Sequence, residues 1–171
     1  MIDAKQLRDS LARSGQALHA MADGMAPDEA RWRPLPDAWS ALEVVNHLLD
    51  EERDDFRTRL DITLRAVSGE KWPPIDPAGW VNARRYNERD LAESVAGFVA
   101  ERENSLMWLD GMLDPDPETT YTGPRGTMRA GDLMASWAAH DLLHLRQLAE
   151  IRHAWLRELA KPYRPDYAGD W

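Results

Sequence analysis

The sequence predicts an all-α protein, a four-helix bundle with long connecting loops, folded as a single domain over residues 1–171. Four segments place apolar residues at alternating spacings of three and four, which is the pattern of an amphipathic helix. Stretches rich in proline or glycine separate these segments, and no stretch alternates convincingly as a strand does. A chain of 171 residues with 43% hydrophobic content can bury one core without disulfides.

The first two helices are predicted at residues 4–25 and 40–67. The first carries one apolar stripe, formed by Leu7, Leu11, Ser14, Leu18, Met21 and Met25. Three prolines within residues 27–39 stop that helix and predict a structured loop. Ser40 and Glu43 match a capping box, in which each side chain bonds a free amide at a helix start. An acidic band in the second helix is predicted to be mostly a solvated face: Asp50, Glu51, Glu52, Asp54 and Asp55.

The third and fourth helices follow a connection at residues 69–87, which is longer than a simple helix hairpin needs. An acidic start at Asp90 opens the third helix, and the Asp-Pro repeat at residues 114–117 ends it. Thr127 is predicted to cap the fourth helix, which reaches about Leu159. Connections of this length allow crossovers as well as hairpins in the bundle.

Composition narrows the classes of function. Lys and Arg number 21 against 30 Asp and Glu, and the net charge of -9 disfavours nucleic acids and anionic membranes as partners. No apolar run approaches the ~18 residues of a membrane span, and the chain does not begin with a basic stretch before an apolar run. A cytoplasmic location is therefore expected. Because the chain has no cysteine, it can supply neither a thiolate ligand nor a cysteine nucleophile.

Three histidines are the candidate metal ligands. His140 and His144 are one helical turn apart on the apolar seam of the fourth helix, so both imidazoles can reach one cation. His47 lies in an apolar part of the second helix. Three imidazoles with an open position are typical of a catalytic site for zinc, nickel, copper or iron(II). The alternative is that these are buried histidines satisfied by hydrogen bonds, with no metal at all.

Two acidic residues stand beside these ligands in sequence. Glu51 follows His47 by four residues and could be a further ligand, an orienting residue or a surface acid, and solvent exposure is the favoured prediction. Asp141 invites comparison with the His-Glu-x-x-His helix of metalloproteases, but no further part of that pattern is present. His19 and His153 lie outside the apolar stripes and are predicted to be surface residues.

Two segments resemble the DinB/YfiT-like superfamily. Residues 39–48 resemble its Trp-Ser…His-Leu helix, and residues 138–148 resemble its closing His-x-x-x-His helix. The resemblance implies a four-helix bundle, a frequent homodimer, and a metal site formed by His47, His140 and His144. Similar proteins include transferases and isomerases that use thiols such as bacillithiol or mycothiol. Histidine-rich members carry further histidines where this chain has Ser136 and Leu143, so the resemblance does not fix the subfamily.

The leading hypothesis is a metal-dependent enzyme that activates an external low-molecular-weight thiol for transfer to a small electrophile. The metal is a divalent ion, with zinc or nickel expected first, and a small-molecule substrate and a homodimer are the expected partners. Two alternatives stay open: a hydrolase that activates water with help from Glu51 or Asp141, and a noncatalytic metal-binding dimer associated with stress. The tryptophans near such a site, including Trp39 and Trp137, are predicted to be packing residues.

Overall fold

The computed structural model describes residues 3–124 and 126–169, and it is mostly helical, as the sequence predicts. Its helices are α1 (Ala4–Ala22), α2 (Pro27–Arg31), α3 (Ala41–Asp50), α4 (Arg57–Arg65), α5 (Pro77–Ala83), α6 (Leu91–Asp110) and α7 (Ala130–Leu159). A π-helical segment, Glu51–Phe56, joins α3 to α4 without a break. Two 3-10 turns lie at Tyr86–Glu88 and Asp166–Ala168.

The bundle consists of α1, the continuous α3–α4 run, α6 and α7. Helix α1 packs mainly against α6 and α7, and the α3–α4 run packs against the same two helices. The first two long helices of the chain therefore occupy opposite corners of the bundle. The predicted four-helix bundle is confirmed, with a crossover in place of a simple hairpin between these two helices.

Side chains cap the first residues of both α1 and α3. Asp3 and Gln6 form a capping box at α1, and its stripe residues Leu7, Leu11, Ser14 and Leu18 are buried. At α3 the predicted box is confirmed: Glu43 N–H donates to Ser40 Oγ at 3.2 Å, and Ser40 N–H donates to Glu43 Oε2 at 2.8 Å. This box fixes where α3 begins and hence where His47 lies, two turns further on.

The structure corrects the predicted connections. Short helices α2 and α5 occupy the two stretches predicted as loops, because Pro27 and Pro77 stand at first-turn positions that need no N–H donor. Strands β1 (Thr120–Gly123) and β2 (Gly126–Arg129) form an antiparallel hairpin. Thr127 therefore lies in β2 and does not cap a helix; α7 begins at Ala130, after the cap residue Arg129.

The sequence does not predict this hairpin, because its strands are short and largely exposed and so carry no apolar alternation. A tertiary contact holds it in place: the ring of Tyr121 stacks on Trp72 with centroids 4.2 Å apart, and Trp72 N–H donates to Tyr121 Oη at 3.0 Å. The hairpin thus docks on the long connection before α5.

The π-helical segment changes which residues of this long helix face inward. In an unbroken α-helix, nine residues at about 100° each would place Phe56 half a turn from His47. Both rings nevertheless lie beside His140, with centroid distances of 5.0 Å for Phe56 and 5.2 Å for His47. The wider π turn rotates each residue less about the helix axis and so brings the two rings toward the same side.

The prediction of a mostly solvated acidic band is wrong. Asp54 is partly exposed, but the other four carboxylates of the band are buried: Asp50, Glu51, Glu52 and Asp55. Cations from distant parts of the chain make this possible for Asp50 and Glu52. Arg84 Nη1 lies 2.5 Å from Asp50 Oδ2, and Arg102 forms a two-bond ion pair with Glu52. A buried charge is tolerated only with such partners.

Two apolar clusters fill the bundle, and a polar layer lies between them. One cluster is centred on α3 and includes Leu18, Leu42, Leu48, Phe98 and Leu148. The other lies toward the opposite end and includes Leu7, Leu11, Leu60, Leu109, Met134 and Trp137. Each long helix contributes a buried polar residue to this layer: Ser14, Glu52, Arg102 and Asp141.

Arg102 is the centre of this layer and is only 4% exposed. Its guanidinium donates to Glu52 at 2.8 and 2.9 Å, to Asp141 at 2.7 and 2.9 Å, and to the carbonyl of Leu11 at 2.7 Å. Gly15 gives it room, because a Cβ there would lie 3.1 Å from Arg102 Cγ. One side chain therefore connects all four long helices.

No helix among residues 3–124 and 126–169 combines the length and the apolar character needed to cross a membrane.

Candidate metal centre

Helices α3 and α7 bring the three predicted histidines together. His140 Nε2 lies 3.2 Å from His47 Nε2 and 3.1 Å from His144 Nε2. The donor atoms of the three residues all lie within 4.8 Å of one another, and within the described part of the chain this is the group with metal-binding geometry. Residues 93 positions apart in sequence thus share one site.

The spacing of the donor atoms fits a cation. When a tetrahedral zinc ion lies about 2.0–2.1 Å from each of two nitrogen ligands, the two nitrogens are roughly 3.3 Å apart. The two contacts of His140 Nε2, at 3.2 and 3.1 Å, are close to that value. His140 Nε2 contacts both His47 Nε2 and His144 Nε2. A neutral imidazole carries at most one proton on Nε2, so His140 can donate a hydrogen bond in only one of these two contacts. A shared cation satisfies all three lone pairs.

Burial keeps the three imidazoles in the neutral form that binds metals. Desolvation, with smaller contributions from the neighbouring imidazoles, lowers the pKa of His47 to about 2. Burial and the nearby His144 lower the pKa of His140 to about 4. Burial also lowers the pKa of His144, opposed by its hydrogen bond to Gln147. Protons therefore compete weakly with a metal at this site at neutral pH.

Gln147 orients one of the three histidines, a role that the sequence analysis does not predict. His144 Nδ1 lies 2.8 Å from Gln147 Oε1, so Nδ1–H donates to the amide oxygen and leaves the Nε2 lone pair for a cation. The signal was present in the sequence, since Gln147 follows His144 by three residues on the same helical face. His47 Nδ1, in contrast, is buried and has no hydrogen-bond partner among the described residues.

Aromatic rings enclose the triad on two sides. The Trp39 ring lies 4.9 Å from His47 and stands parallel to His144 at 6.5 Å. On the other side Phe56 lies 5.0 Å from His140 and stacks on Trp137 at 5.7 Å. These rings restrict water around the histidines and fix their orientation.

A cavity of about 700 Å³ adjoins the triad through Trp39 and Gln147. Its other walls combine apolar side chains with charges of both signs, from Asp37, Glu150 and Arg157. None of the three histidines lines this cavity, which meets the triad only through Trp39, whose ring lies against His47, and Gln147, which bonds His144.

Glu51 is buried, contrary to the prediction of solvent exposure. It is 4% exposed, and desolvation, followed by the charge and the hydrogen bond of Asp55, raises its pKa to about 8. Its Oε1 atom has no hydrogen-bond partner within the described part of the chain. Glu51 does not belong to the cluster of donor atoms formed by the three histidines, so the structure does not place it as a fourth ligand.

Asp141 faces the polar layer. Both of its oxygens accept hydrogen bonds from Arg102, and Oδ2 also accepts one from Ser14 Oγ. These bonds occupy the carboxylate, so the structure gives no support to the alternative in which Asp141 activates water. Of the remaining histidines, His19 is exposed and His153 is partly buried, and neither belongs to the triad.

We expect the free energy of unfolding of the metal-free protein to fall as the pH drops below about 6.5. The three imidazoles resist protonation when folded, with pKa values below their ordinary 6.5, and accept protons once unfolded. Glu51 acts in the opposite direction: its pKa is raised from 4.5 to about 8, so its contribution to stability declines as the pH rises through that range. Among these four groups, only Glu51 changes the free energy of unfolding substantially above pH 6.5. We therefore expect that free energy to be largest near pH 6.5.

Urea denaturation of the metal-free protein at a series of pH values measures this profile. His140→Gln should reduce the slope on the acid side, and Glu51→Gln should flatten the decline on the alkaline side. A profile that stays flat as the pH falls below 6.5 would contradict the assignment of buried, neutral imidazoles.

The comparisons with known proteins agree with this architecture. The structure of YfiT from Bacillus subtilis, described as a probable metal-dependent hydrolase with an unusual four-helix bundle topology, superposes with a TM-score of 0.77. The two proteins share 15% sequence identity over 90% of this chain and 89% of YfiT, a likeness that establishes the fold. No curated protein matches the sequence. The family model of the DinB superfamily matches residues 10–148, which include all three histidines, and the chain therefore belongs to the DinB superfamily.

Proposed function

We propose that the protein is a metal-dependent enzyme in which His47, His140 and His144 hold one divalent cation. The convergence of three neutral Nε2 atoms within 4.8 Å of one another is the observation that carries this proposal. Zinc or nickel suits three imidazoles best in our proposal. Three protein ligands leave a coordination position for a small molecule.

The side chains around the triad have separate tasks in this proposal. The three histidines bind the cation, and Gln147 fixes the tautomer of His144. Trp39 and Phe56 limit the access of water. When bound, a divalent cation lowers the pKa of a coordinated thiol or water and so supplies a nucleophile at neutral pH.

The leading nucleophile is an external low-molecular-weight thiol, which is transferred to a small electrophile. The absence of cysteine supports this choice, because any sulfur used in catalysis must come from outside the chain. The cavity beside Trp39 and Gln147 offers room for such a molecule. Hydrolysis by activated water is the second candidate, and the description of YfiT as a probable metal-dependent hydrolase favours it. A homodimer is part of the proposal as well.

Turnover assays test the proposal directly. Protein purified without a histidine tag is analysed for metal and then assayed against a panel of electrophiles and esters, with and without thiol and with and without chelator. We expect thiol-dependent turnover that disappears with chelator and in His144→Ala but persists in His19→Ala. Ester cleavage that is unaffected by added thiol would contradict the transferase hypothesis and support the hydrolase hypothesis. Chelation that lowers thermal stability while no substrate turns over would show a noncatalytic metal protein.

A further inference from the structure

Glu51 has an oxygen atom that the fold leaves unsatisfied. The residue is 96% buried, and Oε1 has no hydrogen-bond partner among residues 3–124 and 126–169. A buried carboxylate oxygen without a partner is costly, and in natural proteins it calls for an explanation, of which a catalytic role is one.

The neighbours of Glu51 show that this oxygen is left free by the arrangement around it. Glu51 forms a side-chain hydrogen bond with Asp55, and Asp55 Oδ1 in turn lies 2.7 Å from Arg59 Nε. The three residues form a row, each four positions after the one before, in which Glu51 and Asp55 are buried and Arg59 is partly buried. One side of the Glu51 carboxyl group is thus anchored, and the anchoring defines the orientation of the other side.

The position of Glu51 relates it to the triad. It follows His47 by one turn on the same helix, where side chains four residues apart are neighbours about 6 Å apart at Cβ. Both residues are buried, and His47 Nδ1 also lacks a hydrogen-bond partner within the described chain. Two buried polar atoms without hydrogen-bond partners therefore lie about one helical turn apart, one on a member of the triad and one on Glu51.

The other buried carboxylates of this region are committed elsewhere. Asp50 accepts hydrogen bonds from Arg53, Arg84 and Tyr86. Glu52 accepts from Arg102 and from Trp137 Nε1. Among these three acids, Glu51 is therefore the one with an oxygen that has no hydrogen-bond partner within the described chain.

We propose that Glu51 is a catalytic residue that accepts the proton of the attacking nucleophile. The inference rests on the proposed function. In the step, which requires Glu51 in its ionised form, the O–H or S–H proton of the nucleophile moves to Glu51 Oε1 as the oxygen or sulfur forms a bond to the electrophilic carbon. The bond from that carbon to the leaving group breaks, and the leaving group takes its electron pair and then the proton from Glu51. Asp55 acts as the positioning residue.

A binding experiment that needs no substrate tests the placement of Glu51. The protein is loaded with cobalt(II) and titrated with azide, which occupies an open metal position as an anion, and the visible absorption is followed at alkaline pH. Glu51→Gln removes a negative charge next to that position, so azide should bind about tenfold more tightly. Asp61→Asn is the matched control, since it removes a carboxylate of α4 that pairs with Arg65 at the surface, and its azide affinity should equal that of the wild type.

Kinetics with the substrate found by the turnover assay provide the second readout. In Glu51→Gln we expect kcat to fall by a factor of about 100 or more, with metal content and KM near wild type. If that variant does not fold, Glu51→Asp keeps the charge but retracts the oxygen by one methylene, and it should lower kcat at least about tenfold with little change in azide affinity.

The failures of the two proposals are distinguishable. A wild-type protein that binds no cobalt would overturn the metal site, and the role of Glu51 with it. Cobalt binding with an azide affinity in Glu51→Gln within about twofold of wild type would overturn the role of Glu51 alone. An unchanged kcat in a folded Glu51 variant would do the same.

Discussion

Replacing Arg102 with methionine is expected to lower the free energy of unfolding by about 3–5 kcal/mol. The substitution leaves Glu52 and Asp141 charged, buried and next to each other, without the guanidinium that bonds both. It also removes a hydrogen bond to the carbonyl of Leu11, so contacts with three other helices are lost at once. Urea denaturation followed by circular dichroism measures the change.

Two further variants separate the unpaired charges from the loss of packing. Combining Arg102→Met with Glu52→Gln and Asp141→Asn should recover much of the lost stability, because no buried charge then remains unpaired. Acidification should partly rescue the single variant for the same reason, since protonation neutralises the two carboxylates. The control Arg65→Met, which breaks exposed pairs with Asp61 and Glu70, should have no measurable effect. Equal losses in the single and triple variants would contradict this account.

Replacing His144 with alanine is expected to weaken metal binding by about two to three orders of magnitude. A metal-binding free energy of order 10 kcal/mol, shared among three ligands, corresponds to a loss of this size for one of them. Gln147→Leu should have a smaller effect, about 10- to 100-fold, because it removes only the hydrogen bond that orients His144. Competition with a chromophoric chelator and elemental analysis measure both affinities.

The exposed residue His19 gives the control for this series. His19→Ala should retain the affinity and the metal content of the wild type, since the residue lies outside the triad. If His144→Ala also retains them, the three Nε2 atoms are a hydrogen-bonded cluster and the metal-binding proposal fails.

Local patterns were sufficient to predict the helices and the triad. The capping box at Ser40 and Glu43 depends on residues three apart, and the α1 stripe depends on a period of 3.6, so both are visible in the sequence. The pairing of His140 with His144 is likewise local. That His47 joins them followed from its apolar surroundings and from the resemblance to the superfamily.

The environment of the acidic residues could not be predicted in this way. Whether Glu52 is solvated or buried depends on Arg102, which lies 50 residues away and reaches it through the packing of α6. Asp50 has one local cation, Arg53, but its other cation is Arg84, 34 residues away in the connection between α4 and α6. Pattern arguments assign charges to the surface unless the partner is known, and these partners are known only from the tertiary structure.

The π-helical segment Glu51–Phe56 also affects how this chain should be aligned with its relatives. A π turn is equivalent to one extra residue inserted into an α-helix, so positions before and after it follow different helical registers. A relative with a continuous α-helix at this place would need a one-residue gap there. Without the gap, a comparison would match inward-facing residues of one protein with outward-facing residues of the other, and Phe56 and Leu60 would appear unconserved even where their structural counterparts are present.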